Sequence, residues 1–131
     1  MSTSAATPLP LRGALVVAAL VAAAAHVPVT GEHLEEAPYM GWAFVVFAAV
    51  CGGLALAAAA RDSRVVQGAM VLWCGGALAT YAATRLVAFP LLADDVGNWV
   101  EPWGVVSVVS EAVTVVLCLM ALRRRSQLQH A

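Results

Sequence analysis

"YMGWAFVVFAAVCGGLALAAAARDSR" (residues 39–64) is the stretch whose reading decides the fold. From Tyr39 to Ala60 it carries no charge, opens with Tyr39 and Trp42, and closes on a turn holding Arg61 and Arg64. A helix needs about 20 apolar residues to cross a hydrocarbon core of about 30 Å. A lone crossing segment must also satisfy its own backbone hydrogen bonds, which leaves helix as the only sensible assignment.

Three further apolar runs flank it: "LRGALVVAALVAAAAHV" (11–27), "VVQGAMVLWCGGALATYAATRLVAF" (65–89) and "PWGVVSVVSEAVTVVLCLMAL" (102–122). Pro28, Pro38 and Pro90 punctuate them, and Pro102 stands at a first-turn position, where a missing N–H costs nothing. The whole chain of 131 residues is 62% hydrophobic and 11% charged, with mean hydropathy +0.85. Soluble domains are about half apolar and about a quarter charged. The expected fold is an all-α, four-helix transmembrane bundle, up-down-up-down, forming one domain over residues 1–131. Loops 28–38 and 90–101 would lie at one face, with the turn 61–64 and an arginine-rich tail, 123–131, at the other. The first run also has the marks of a secretory signal peptide: Arg12, a short Ala/Val core and small residues near Ala25. The later spans keep their direction on either reading.

Every cation is an arginine. Arg12, Arg61, Arg64, Arg123, Arg124 and Arg125 border the first span, the 61–64 turn or the tail, whereas loops 28–38 and 90–101 hold no Lys or Arg. The positive-inside rule then predicts a multi-pass protein of the plasma membrane with both termini cytoplasmic. Tyr39, Trp42, Trp99 and Trp103 form the expected interfacial belt at the opposite face. A formal net charge of -1 gives no reason for a nucleic-acid partner. The partner implied is the lipid bilayer, and a second copy or a partner membrane subunit is compatible with it. "EAPYMGWAFVV" and "EPWGVVSVV" open the second and fourth spans alike. That is the pattern of two helical hairpins repeated in parallel, though shared helix-start chemistry explains it equally well.

Two charges fall inside the spans. At 1.5 Å per residue, Glu111 lies about 13 Å below the outer end of span four, where an unpaired carboxylate is costly. Arg85 lies about 6 Å below the outer end of span three. Side chains lean toward the N-terminus of their own helix, so in an antiparallel pair these two aim at each other. A buried Arg85–Glu111 pair is therefore expected, bordered by a hydroxyl seam of Thr80, Tyr81, Thr84, Ser107, Ser110 and Thr114. Such a pair fixes how two helices dock, or marks a ligand, proton or ion pathway.

The first outer loop, "HVPVTGEHLEEAPYM" (26–40), adds weak metal candidates in His26, His33 and Glu36, with Thr30 placed to cap a short interfacial turn. The second adds Asp94, Asp95 and Glu101. A solvated acidic surface explains the same residues. The three histidines are badly placed for a b-type haem, and no cofactor is named by the sequence. Cys51, Cys74 and Cys118 all fall in apolar runs without a C-x-x-C pair, as small hydrophobes do.

"HLEEAPYMG" (33–41), "RLVAFP" (85–90) and the W-x3-W-G-x6-E pattern over 99–111 resemble small four-helix integral membrane proteins of high-GC actinobacteria, a group without a settled activity. The resemblance implies His33, Glu36, Tyr39, Arg85 and Glu111 as residues to test. The functional expectation is a non-enzymatic membrane protein, an accessory or small-ligand-binding component of an assembly. The alternatives are a small proton- or cation-coupled transporter or channel using Glu111, or an outer-face metal binder using His33.

Overall fold

The computed structural model describes residues 6–130. Residues 1–5 and 131 lie outside it, and with them the beginning of the signal-like segment and the last residue of the tail. Five α-helices follow one another: α1 (Leu9–Ala25), α2 (Val27–Glu36), α3 (Pro38–Ala60), α4 (Arg64–Leu86) and α5 (Pro102–Gln129). A 3-10 turn, Ala93–Asp95, lies in the last connection. With α1 and α2 nearly continuous, four helical segments are long and apolar enough to cross a membrane. The described residues contain no strand. The fold is an all-α four-helix bundle.

α1 packs on α3 and α5, and α4 on the same two, which closes the bundle into a ring. Its centre is built from small side chains. Ala19 and Ala22 of α1, Cys51 and Ala55 of α3, Cys74 of α4, and Cys118 and Ala121 of α5 are all buried. Small residues let helix backbones approach where no hydrophobic force drives them together. Cys51 Sγ donates to the Ala19 carbonyl at 3.3 Å, and all three thiols are free. At most 33% of the apolar stretch of any span is buried inside the bundle. Large side chains such as Leu56 and Leu72 point outward, an apolar girdle suited to lipid.

The sequence reading expected residues 28–38 to form a loop; most of that segment is helix. Pro28 has no N–H to give, so the helix breaks, but for one residue only. His26 takes the break, its N–H reaching Ala23 O at 3.3 Å, and α2 restarts with Pro28 in its first turn. Thr30 sits inside α2, donating to the His26 carbonyl at 2.6 Å rather than capping a turn. Ala37 is driven out of helix by the following Pro38 (φ −139°, ψ 78°). The chain then doubles back so tightly that a Cβ on Gly41 would stand 2.6 Å from Leu34 N. At the far end α5 runs on through the arginines that were expected to form a tail.

That arginine-rich end is knotted by polar contacts. Asp62, in the α3–α4 turn, accepts from Thr7 N–H at 2.6 Å and from Gln67 Nε2 at 3.1 Å. It also pairs with Arg125 of α5. Gln67 Nε2 and Arg125 Nη2 converge on Thr7 Oγ1 at 3.0 and 3.2 Å. Arg12 caps the last turn of α3, donating from Nε to Ala58 O at 2.9 Å and from Nη2 to Ala59 O. Burial pushes the Asp62 carboxyl up, but the hydrogen bonds from Thr7 and the Arg125 guanidinium outweigh it and hold it below the usual carboxylate range.

Two outcomes follow. Gly41→Ala forces α2 off α3 and should lower stability by about 1–3 kcal/mol, read as a fall in melting temperature in detergent. Because the Asp62 carboxyl is held low in the folded state, its contribution is present above the unfolded value of about 3.9 and lost as pH falls through the folded one. The gap in melting temperature between wild type and Asp62→Asn should be widest near neutrality and close on acidification below about pH 4.

Candidate functional site

The opposite end of the bundle, where the aromatic residues gather, is open. The break at His26 turns its ring inward, so that only 8% of the residue is exposed. Nδ1 lies 2.8 Å from the Ala22 carbonyl. The ring packs on Phe47 with centroids 4.4 Å apart and meets Phe44 edge-on at 5.2 Å. Its other nitrogen, Nε2, stands 3.7 Å from Oε1 of Glu111. Glu111, on α5, is 2% exposed.

Glu111 therefore faces His26 at the break between α1 and α2, not Arg85 of α4 as the sequence reading expected, and among the described residues no ion pair joins Arg85 to Glu111. Arg85 turns the other way. Gly97 N–H bonds the Arg85 carbonyl at 2.9 Å, drawing the 87–101 connection across the end of α4. The chain turns there through Leu91 (φ 61°) and Gly97 (φ 79°), a conformation that glycine adopts freely. This brings Asp95 Oδ1 to 2.9 Å from Arg85 Nη1, with the Asp95 carbonyl at 3.3 Å from the same nitrogen. The guanidinium carbon sits 4.5 Å over the Tyr81 ring. A carboxylate only ten residues further along the chain wins over one buried a third of the way along a neighbouring helix. Among the described residues Arg85 Nε has no partner.

Apart from Tyr81, whose ring lies against Arg85, the hydroxyl seam does not serve the charges. Thr80 donates to Gly76 O, Thr84 to Tyr81 O, Ser110 to Val106 O and Ser107 O, and Thr114 to Ser110 O, each within its own helix. Hydroxyls in apolar helices satisfy themselves locally in this way. Thr80, Tyr81, Thr84 and Ser107 line the open space, while Ser110 and Thr114 are buried beside it. Tyr39, Trp42, Trp99 and Trp103 are half-exposed at this end. Tyr39 Oη donates to Pro90 O at 2.6 Å and Tyr81 Oη to Trp99 O at 3.1 Å, which ties the connection to α3 and α4. Glu101 caps α5, accepting from Trp103 N–H at 3.0 Å and from Gly104 N–H at 2.5 Å.

Between α2 and α3 on one side and α4 and α5 on the other lies a cavity of about 780 Å³, with Glu111 and His26 in its wall and Arg85, Asp94 and Asp95 nearer the connection. That volume falls in the range of small-molecule sites, about 300–1,000 Å³. His33 Nδ1 is spent on Val29 O at 2.9 Å, and its ring packs on Phe44 at 4.8 Å. His26, His33 and Glu36 are not gathered as ligands: among the described residues no three His, Cys, Asp or Glu side chains form a metal-holding group. The partnership of His26 with Glu111 escaped the sequence reading, although a histidine two residues before a proline in an apolar run was its visible sign. Comparison with protein-family models, with curated proteins and with solved structures yields no match.

A double-mutant cycle separates the observed pairing from the expected one. Arg85→Gln with Asp95→Asn should show a coupling of about 1–2 kcal/mol in thermal or denaturant unfolding, and Arg85→Gln with Glu111→Gln a coupling near zero. The reverse ranking would restore the Arg85–Glu111 pair.

Proposed function

We propose that this is a non-enzymatic, multi-pass plasma-membrane protein that binds a small ligand in the cavity beside Glu111. Both termini are taken to be cytoplasmic and the cavity to face outward, because six of the seven arginines sit at the opposite end of the bundle. One observation carries the reading: the cavity reaches a carboxylate that is 2% exposed, deep in an apolar bundle. Ionisable groups at such depth are costly and mark functional positions. Binding is favoured over transport because the bundle centre is filled by a buried core drawn from three helices, with Cys51 and Ala55 of α3, Met70 and Cys74 of α4, and Cys118 and Ala121 of α5. The protein then works as the ligand-binding component of an assembly, with the apolar girdle free to meet lipid, a second copy or another membrane subunit.

The test uses Gly76, which lines the cavity and where an added Cβ would meet nothing within 4 Å. Gly76→Phe should fill the space. Native mass spectrometry of protein released from lipid nanodiscs should show a small-molecule adduct on the wild type that Gly76→Phe lacks. Identical spectra, with no adduct on either protein, would overturn the proposal.

A further inference from the structure

We infer that the cavity takes a small organic amine in its protonated form, its ammonium N–H groups bridging Glu111 and His26 and its apolar body lying among the aromatic side chains. This rests on the small-ligand reading above and names the class of ligand.

The charge of the wall comes first. Six carboxylates border the cavity, from Glu32, Glu36, Asp94, Asp95, Glu101 and Glu111, against one arginine. Asp95 is spent on Arg85 and Glu101 on the first turn of α5. Glu32, Glu36 and Asp94 remain to give the entrance a negative potential that draws cations in. Arg85 is the one cation of the wall; its charge is already paired with Asp95 through Nη1 and its Nε is closed off by burial, which leaves only Nη2 for an anion.

The deep end is more specific. No hydrogen bond reaches either Glu111 oxygen among the described residues, and the His26 nitrogen 3.7 Å away is too far to make one. The tautomer of His26 follows from its other contact. A carbonyl can only accept, so Nδ1, 2.8 Å from Ala22 O, carries the proton. In the neutral ring Nε2 is then an acceptor. With Glu111 ionised, two acceptors face one another across a gap that suits neither, and a cation bound between them would hold the carboxylate in that form. A donor with at least two N–H groups and a positive charge, placed beside that gap, would satisfy both. An ammonium group does this; among the described residues a metal ion would lack a third His, Cys, Asp or Glu ligand here.

The walls supply the rest. Phe44, Phe47, Trp73 and Tyr81 line the same space, and Phe47 and Trp73 lie nearly parallel with centroids 6.1 Å apart. Aromatic faces attract cations and bury apolar bodies together. An amine carrying an aryl or short alkyl group uses both properties.

Isothermal titration in lipid nanodiscs with four probes of one shape tests this: benzylammonium, benzyltrimethylammonium, benzyl alcohol and phenylacetate, against wild type, Gly76→Phe and Glu111→Gln. Benzylammonium should bind the wild type at least about tenfold more tightly than benzyl alcohol, the worth of a charge-assisted hydrogen bond. It should also bind more tightly than benzyltrimethylammonium, which has no N–H, and phenylacetate should not bind. Glu111→Gln should bring benzylammonium down to the alcohol's affinity, and Gly76→Phe should abolish binding of both. If the alcohol, the quaternary ion or phenylacetate equals benzylammonium on the wild type and all are lost in Gly76→Phe, the amine inference falls and the binding cavity stands. If no probe distinguishes wild type from Gly76→Phe, both readings fall. Should Glu111→Gln not fold, the ranking of the four probes on the wild type decides alone.

Discussion

Pro28 has no hydrogen to donate, and the shape of the open end follows from that one absence. An uninterrupted helix through residue 36 would carry its side chains past the bundle. The break confines itself to His26, because Pro28 is acceptable in the first turn of the helix that resumes. His26 is left with its ring against its own helix's last carbonyls and against Phe47. Its free nitrogen is thereby presented to Glu111. α2 then packs back on α3, with Gly41 as the point of contact, and forms one wall of the cavity. Breaking the helix, burying a histidine and holding a cavity open are consequences of the same missing N–H.

The two ends of the bundle treat buried polar groups in opposite ways. At the arginine-rich end, Thr7, Asp62, Gln67 and Arg125 draw together the chain before α1, the α3–α4 turn, α4 and α5. Nearly every donor there is used, and among the described residues Gln67 Oε1 is the one side-chain atom of the cluster left buried without a partner. Polar networks of that kind fix register, since a slipped helix would strand charges away from water. At the aromatic end the polar groups are spread around a space instead of filling it. Arg85 and Asp95 hold the connection down, and the hydroxyls turn back on their own helices. His26 and Glu111 approach without bonding.

The four-helix architecture was legible because hydropathy over 20 residues depends on composition alone, and 39–60 has no charge to confuse it. Residues 28–38 were misread because proline is a helix breaker in the interior and a helix starter in the first turn, and the sequence does not say which role applies. The Arg85–Glu111 pair failed for a different reason. Depth and lean gave both residues a plausible reach, but partner choice depended on where the 87–101 connection would fold, and that was set by Gly97 docking on the Arg85 carbonyl. Arg125 was read through charge sidedness only, and its convergence with Asp62 on Thr7 needed contacts between residues more than 50 positions apart. The individual residues of the candidate site were visible; the partners were not.

Glu111 is the residue that packing alone does not explain. Its neighbours along α5, Ser107, Thr114 and Cys118, are small and buried, and Thr114 is satisfied within its own helix, so an apolar side chain would fit the same environment with less desolvation cost. The carboxylate adds no hydrogen bond to the fold among the described residues, unlike Asp62, which accepts from several partners and joins chain segments. Asp62 therefore has a structural reason for its charge. Glu111 has a cavity, a histidine nitrogen just out of bonding range and a ring of aromatic faces. Buried polar groups that stabilise nothing locally belong to sites where a bound species completes them. On that ground the open end of the bundle, rather than its well-satisfied arginine end, is where the chemistry of this protein is to be sought.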